Sequence, residues 1–229
     1  MDRNILEKRG IKMKRYDTII WDMDGTLLET LEDLNDSVNF ALKAKKYETK
    51  SLEHTRKSVG NGIRKLMELS VPDGEKNPCF EEIFGIFREH YKENCLNKTK
   101  PYDGICNLLT RLKNEGYKMA VVSNKVDSAV KELAEKFFGG SLDIAIGEHA
   151  GVNKKPSPDM VNETIEKLCA ENKKTVYIGD SEVDVKTAEN SGLDIISVLW
   201  GFRTEEELKK SGAKVFVKTA DELYDYLEK

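Results

Sequence analysis

The chain reads as an α/β protein: a doubly wound parallel sheet with a Rossmann-like core, carrying an inserted all-helical cap. Three observations lead there. Short β-branched apolar runs alternate with amphipathic helical stretches, the pattern of a parallel sheet covered on both faces. The alternation is interrupted once, across residues 30–98, where helical periodicity continues without a strand. The length, 229 residues, suits one large domain or one domain with a smaller insert.

The first strand is 18–21, TIIW, a buried-looking run that ends at Asp22. Similar runs follow at 118–123 (KMAVVS), 175–179 (TVYIG) and 194–199 (DIISVL), with further candidates at 142–146 (LDIAI) and, as a last edge strand, 215–217. Between them, 104–115, 127–138, 157–171 and 182–191 place apolar residues at three- and four-residue steps, for example Val130, Leu133, Ala134 and Phe137. Gly116 and Gly192 stand where helix C-caps belong. Strands and helices of these lengths imply right-handed crossovers. The interrupting region shows three helical stripes: Leu31, Leu34, Val38, Ala41 and Leu42; Ile63, Leu66 and Met67; and Phe80, Ile83, Phe84, Phe87 and Tyr91. Pro72, Asp73, Gly74 and Pro78 mark turns within it. The expected division is a catalytic core of 15–29 and 99–229 and a helical cap of 30–98.

Composition narrows the function classes. Hydrophobic residues make up 39%, enough for a core, and charged residues 34%, with a net charge of −4. Both signs are mixed along the chain, which implies a well-solvated surface. No basic domain or stripe is present, and Lys12, Lys14 and Arg15 are too short a cluster to make one, so no nucleic-acid partner is expected. No apolar run approaches the ~18 residues of a membrane span, and the first residues lack the apolar core of a signal peptide. A cytoplasmic protein with no membrane partner is the expectation. Met13 is a candidate alternative start, because residues 1–14 carry no structural pattern. Cys79, Cys95, Cys106 and Cys169 form no Cys-x-x-Cys pair and are expected to be buried, reduced thiols. Nothing in the sequence specifies an oligomeric state.

Ligands of open parallel sheets bind beyond the carboxyl ends of the strands, and four places there carry chemistry. Asp22-Met23-Asp24-Gly25-Thr26 follows the first strand. Two carboxylates two residues apart project to one side of an extended backbone, and Gly25 permits a tight departure. Ser123-Asn124 ends KMAVVS, Lys155-Pro156 precedes a helix, and Gly179-Asp180 ends TVYIG with Asp184 one helical turn further on. Crowded carboxylates call for a proton or a cation among them, and hard oxygen ligands suit Mg2+ together with a substrate phosphate. A carboxylate can attack phosphorus to give an acyl phosphate, with the metal and Lys155 offsetting the charge and Ser123 and backbone N–H groups holding the oxygens. Taken singly, Asp180 and Asp184 read as helix N-caps, Lys155 as a surface lysine and Ser123 as a turn residue. Their joint placement argues otherwise, since Asp-x-Asp-Gly-Thr alone arises by accident in roughly one chain of this length in a thousand.

The order DMDGT, Ser123, Lys155-Pro156, GDSEVD resembles the four motifs of the haloacid dehalogenase-like hydrolases, from about Tyr16 to the C-terminus. VVSNK, the GNG at 60–62, KPSPD and GDSEVDVKTAENSG followed by WGFRTEEEL are similar to the phosphoglycolate phosphatase branch. The resemblance implies that Asp22 is the nucleophile and a metal ligand. It makes Asp24 the acid and base, and a further ligand through its backbone carbonyl. It gives Ser123, with Asn124, the phosphoryl group to bind, Lys155 the charged intermediate to stabilise, Asp180 the Mg2+ to ligate, and Asp184 the metal shell or Lys155 to support. The implied substrate is a small phosphorylated metabolite, a phosphomonoester of the phosphoglycolate kind, with the cap choosing it. Gly62, Arg64 and Lys65 could grip a second anionic group from a glycine-flanked helix start; otherwise they form an inter-helix turn with solvated side chains. The rival readings are a pyrophosphatase, a phosphomutase resembling β-phosphoglucomutase, and a non-catalytic binding protein. Thr26 stands where that mutase type tends to carry an aliphatic residue, and the intact Asp22/Asp24 pair opposes the binding protein.

Overall fold

The computed structural model describes residues 14–229, so the reading of Met13 and of the residues before Lys14 lies outside the described residues. The strands are β1 (Thr18–Trp21), β2 (Leu28–Glu29), β3 (Lys100–Pro101), β4 (Lys118–Val126), β5 (Ile144–Glu148), β6 (Thr175–Gly179), β7 (Asp194–Val198) and β8 (Phe216–Val217). Among the described residues six of them form one parallel sheet in the order β5-β4-β1-β6-β7-β8. The chain builds outward from β1 to one edge, then returns and builds from β6 to the other. The reversal falls between β1 and β6, where doubly wound sheets open a crevice. In register, Trp21 lies beside Val121 on β4 and Ile178 on β6. Asp22, Ser123 and Asp180 therefore leave the sheet at nearly one level.

The cap interrupts this sheet after its first strand. It comprises α1 (Leu31–Ala44), α2 (Leu52–Ser58), α3 (Ile63–Ser70) and α4 (Phe80–Asn94). Three of these match the expected stripes, and α2 was not foreseen: LEHTRKS buries only Thr55 and Ser58 and has no apolar face. It starts because the Ser51 side chain accepts from the His54 N–H at 3.1 Å. Leu34, Val38, Leu66, Met67, Phe80 and Phe87 bury one another in a core separate from that of the sheet. Each such side chain contributes about 1.5–3 kcal/mol on burial. The chain crosses between the two parts on an antiparallel ribbon, Leu28 opposite Pro101 and Glu29 opposite Lys100. The buried Asp33 carboxylate clamps the return crossing by accepting from the Lys98 and Thr99 N–H groups.

The remaining helices cover the sheet. Alternation sends Ile19, Trp21, Val121 and Ile178 to one face, where α5 (Ile105–Asn114), α6 (Asp127–Phe138) and, from the chain end, α10 (Ala220–Leu227) pack. Ile20, Val122 and Tyr177 face the other way, against α7 (Asp159–Leu168) and α8 (Glu182–Ser191). The short α9 (Glu205–Lys210) packs Leu208 on Val185. The cysteines correct an expectation. All four are free, but Cys79 and Cys95 are half-buried and Cys106 and Cys169 exposed, because each sits at a helix edge or end rather than on a core stripe.

Candidate active site

Asp22 continues β1 by one residue, its N–H donating to the Ile178 carbonyl at 2.8 Å. The chain then turns at Gly25, whose φ of +90° favours glycine and where a Cβ would collide with the Asp180 carboxylate. This lets Asp180 approach the turn: it accepts from Thr26 Oγ1 at 3.2 Å and from the Phe202 N–H at 2.6 Å. Asp184 sits in the first turn of α8, where Ser181 and Asp184 form a reciprocal capping box. Ser181, not Asp180, is thus the N-cap. The second Asp184 oxygen is left for Lys155.

Lys155 ties the carboxylates together. Its Nζ lies 2.6 Å from Asp22 Oδ1, 2.8 Å from Asp184 Oδ1 and 3.0 Å from the Tyr177 hydroxyl. Burial works against this ammonium, yet Asp184 and Asp22 outweigh it and hold its pKa well above the ordinary value. The loop is held by Asn124, whose Oδ1 accepts from the Lys155 N–H at 2.8 Å and whose Nδ2 donates to the Lys155 carbonyl at 3.0 Å. The same Nδ2 reaches the cap at the Gly60 carbonyl, also at 3.0 Å. The Asn124 side chain thus holds the Lys155 loop and the cap, while the residue also lines the cavity. Ser123 lines the cavity, its Oγ accepting from the Lys125 N–H at 3.2 Å.

Asp22, Asp180 and Asp184 bring carboxylate oxygens within 4.8 Å of one another, all three buried. Burial, then repulsion from Asp184, pushes the Asp22 carboxyl up to about 7 from an ordinary 3.8. Burial, then Asp184 and Asp22, pushes Asp180 well above its ordinary value. Three carboxylates face one ammonium, and a hard divalent cation fits this oxygen set. Asp24 lies apart from the cluster by its carboxylate. Its Oδ2 pairs with Lys125 Nζ at 3.0 Å, and its Oδ1 is buried with no hydrogen-bond partner among the described residues.

The cap closes the cavity with Leu34, Val59, Gly60, Gly62, Ile63 and Leu66. Gly62 lines the cavity, with φ at +85°. Arg64 and Lys65 take the alternative form, an inter-helix turn with solvated side chains. Arg64 pairs with Glu75 at 2.7 Å and Glu81 at 2.5 Å over the Phe80 ring, and Lys65 with Glu68 at 2.8 Å. Both start α3 facing away from the cleft, because Ile63 and Leu66 take its inner face.

The sequence of the chain matches the family described as haloacid dehalogenase-like hydrolase over residues 19–198. The chain belongs to the haloacid dehalogenase-like hydrolases. Within that family it is 34% identical over 185 residues to a phosphoglycolate phosphatase of Aquifex aeolicus, covering 80% of this chain and 85% of the relative. It is 32% identical to one of Rhodobacter capsulatus over 190 residues, 81% and 85% of the two chains. A crystal structure from Lactobacillus delbrueckii subsp. bulgaricus, whose assignment as a phosphoglycolate phosphatase is provisional, aligns with a TM-score of 0.89 at 36% identity, over 94% of this chain and 99% of that one.

Several side chains at the site of this hydrolase escaped the sequence reading. Arg203 donates from the core to the Arg56 and Val59 carbonyls of the cap at 2.6 and 2.9 Å, while Arg56 reaches back to the Phe202 carbonyl. Lys125 and Tyr91 meet across the same boundary. Lys125 and Arg203 stand within VVSNK and WGFRTEEEL, but nothing local in those strings tells which partner each side chain meets.

Proposed function

We propose that this hydrolase is a Mg2+-dependent phosphatase of small phosphomonoesters of the phosphoglycolate kind, working through an aspartyl phosphate on Asp22. The observation that carries the reading is the pairing of Asp22 with Lys155 beside an Asp24 that keeps one oxygen free, at the sheet reversal under a closed cap. An Asp22 oxygen attacks phosphorus while the bond to the leaving oxygen breaks, and Asp24 gives that oxygen its proton. Water then attacks the same phosphorus. Asp24 takes its proton, and the phosphorus–oxygen bond to Asp22 breaks, releasing phosphate and restoring the carboxylate. The Lys155 ammonium offsets the charge that gathers on the phosphoryl group, and the Ser123 hydroxyl donates to one of its oxygens.

Asp22, Asp180 and Asp184 would hold Mg2+, which when bound supplies charge neutralisation at the phosphoryl oxygens. A cavity of about 40 Å3 favours a short tail, since a single water already needs ~10–15 Å3. The apolar cap wall offers a tail no charged partner, and the cations of the cavity wall are Lys125 and Lys155. The named relatives point to phosphoglycolate. The test is phosphate release from phosphoglycolate, pyrophosphate, sugar phosphates and nucleotides, with magnesium and with a chelator. Turnover should favour phosphoglycolate and stop in chelator. Turnover of no phosphomonoester, or full activity without metal, would refute the reading.

A further inference from the structure

Lys125 lies within the stretch of β4, between Val122 and Val126, where the register against β5 shifts. Irregularities of this kind re-aim side chains, and here the ammonium is turned into the cavity wall, 7% exposed. It meets two groups from different parts of the molecule. One is Asp24 Oδ2, at 3.0 Å. The other is the hydroxyl of Tyr91, which accepts from Nζ at 2.9 Å and belongs to cap helix α4. The Asp24 carboxylate is therefore held by one oxygen, and the other is the buried atom without a partner. A carboxylate gripped at one oxygen presents the opposite one in a fixed direction.

We infer that Lys125 is a positioning residue for Asp24, and that Tyr91 makes this positioning depend on cap closure. The inference rests on Asp24 serving as the acid and base. Lys125 holds Oδ2 so that Oδ1 is the oxygen offered to the leaving group and later to water. Tyr91 rides on the cap, so its bond to Nζ exists only when the cap is down. With the cap raised the ammonium loses one of its two partners and its fixed direction. Burial works against the Lys125 ammonium, but Asp24 and Tyr91 outweigh it and keep it charged. Burial pushes the Tyr91 phenol up to about 12, so it remains a neutral acceptor here. Cap position therefore acts on the geometry of this ion pair.

The test compares kcat and KM for phosphoglycolate and an aryl phosphate in Lys125→Met, Lys125→Arg and Tyr91→Phe, each also in an Asp24→Asn background. Lys125→Met should lower kcat on phosphoglycolate about a hundredfold, the lower end of an acid–base contribution, with KM little changed and the aryl phosphate, a better leaving group, largely spared. Lys125→Arg should restore part of the loss. Tyr91→Phe, which keeps the buried ring, should lower kcat by about three- to tenfold, the worth of one hydrogen bond. Neither change should add a further loss once Asp24 is already Asn. Losses equal for both substrates and additive with Asp24→Asn would mark Lys125 as structural support and overturn the inference. A rise in KM confined to phosphoglycolate would make it a contact for the substrate carboxylate instead, and also overturn it. A wild-type protein inactive on every phosphomonoester would sink the function and the inference together.

Discussion

Lys155 in the core and Arg64 in the cap invite comparison. Each is a basic residue beside a loop near the cleft, and each pairs with two carboxylates at similar distances. Lys155 is 3% exposed and its partners are buried, whereas Arg64 and its glutamates lie on the cap surface. In the core, desolvation makes the arrangement obligatory: removing one member strands the others without water. On the cap, water and salt can replace any member. The number of carboxylate partners is equal, and burial decides which set can tune chemistry.

Asp22→Asn should break the core side of the contrast most sharply. It removes the oxygen proposed to attack, so turnover should fall on the order of 10⁴-fold or more. The fold should persist, because the change also removes one of the crowded carboxylates. Near-normal rates in protein free of wild-type contamination would take the nucleophile's role from Asp22.

Lys155→Met leaves Asp22 and Asp184 facing each other with no cation. Unfolding by denaturant should show a loss of about 3–5 kcal/mol, typical of a broken buried pair. A loss below ~1 kcal/mol would mean that this pair behaves like a surface one.

Magnesium and pH together test the carboxylate cluster. The folded-state pKa of Asp22 lies near 7, above its ordinary 3.8. A carboxyl raised in this way favours the protonated fold, so without metal its contribution to stability falls as pH rises from about 4 to about 7. Metal competes for the same oxygens, so its stabilisation grows over that window. At about 100 times its Kd, magnesium should raise Tm by about 5–10 °C at pH 8 and much less at pH 5. Asp180→Asn should remove most of that rise. Equal rises at both pH values would contradict the cluster as the metal site.

The smallest effect belongs to the cap. Arg64→Ala and Lys65→Ala should each cost less than about 1 kcal/mol and leave kcat/KM for phosphoglycolate within about twofold, since neither side chain reaches the cavity. A tenfold loss on that substrate alone would show that the cap rearranges on binding to bring one of them in.

What the sequence made legible follows the same division. The strands TIIW and TVYIG are short, apolar and bounded, so period and position sufficed, and with them came the residues at the strand ends. The cap was legible as helices but not as faces. Ile63-Arg64-Lys65 gives no indication of which way α3 is rolled, and only the packing of Ile63 and Leu66 against the cap interior settles it. Helix α2 is not legible because it has no apolar stripe and is held by the Thr55 hydroxyl, hydrogen-bonded to the Asn35 amide at 2.9 Å, and by Arg56 and Arg203. Asn124 reads as a ligand for phosphate because it adjoins Ser123. Its hydrogen bonds to Lys155 and Gly60, 31 and 64 residues away, are tertiary facts with no local signature.

The two tryptophans of the chain are both attached to the turn that follows β1 at Asp22. Trp21 immediately precedes Asp22 in β1, and the Trp200 indole N–H donates to the Thr26 carbonyl at 2.9 Å. One is sealed in the core and the other is half-buried beside the turn. The protein thus has a built-in optical reporter. Excitation at the red edge of the ultraviolet band, where tryptophan absorbs and tyrosine does not, reports on the surroundings of the Asp22 turn, and the Trp200 emission should follow metal loading and phosphoryl turnover in real time without a label.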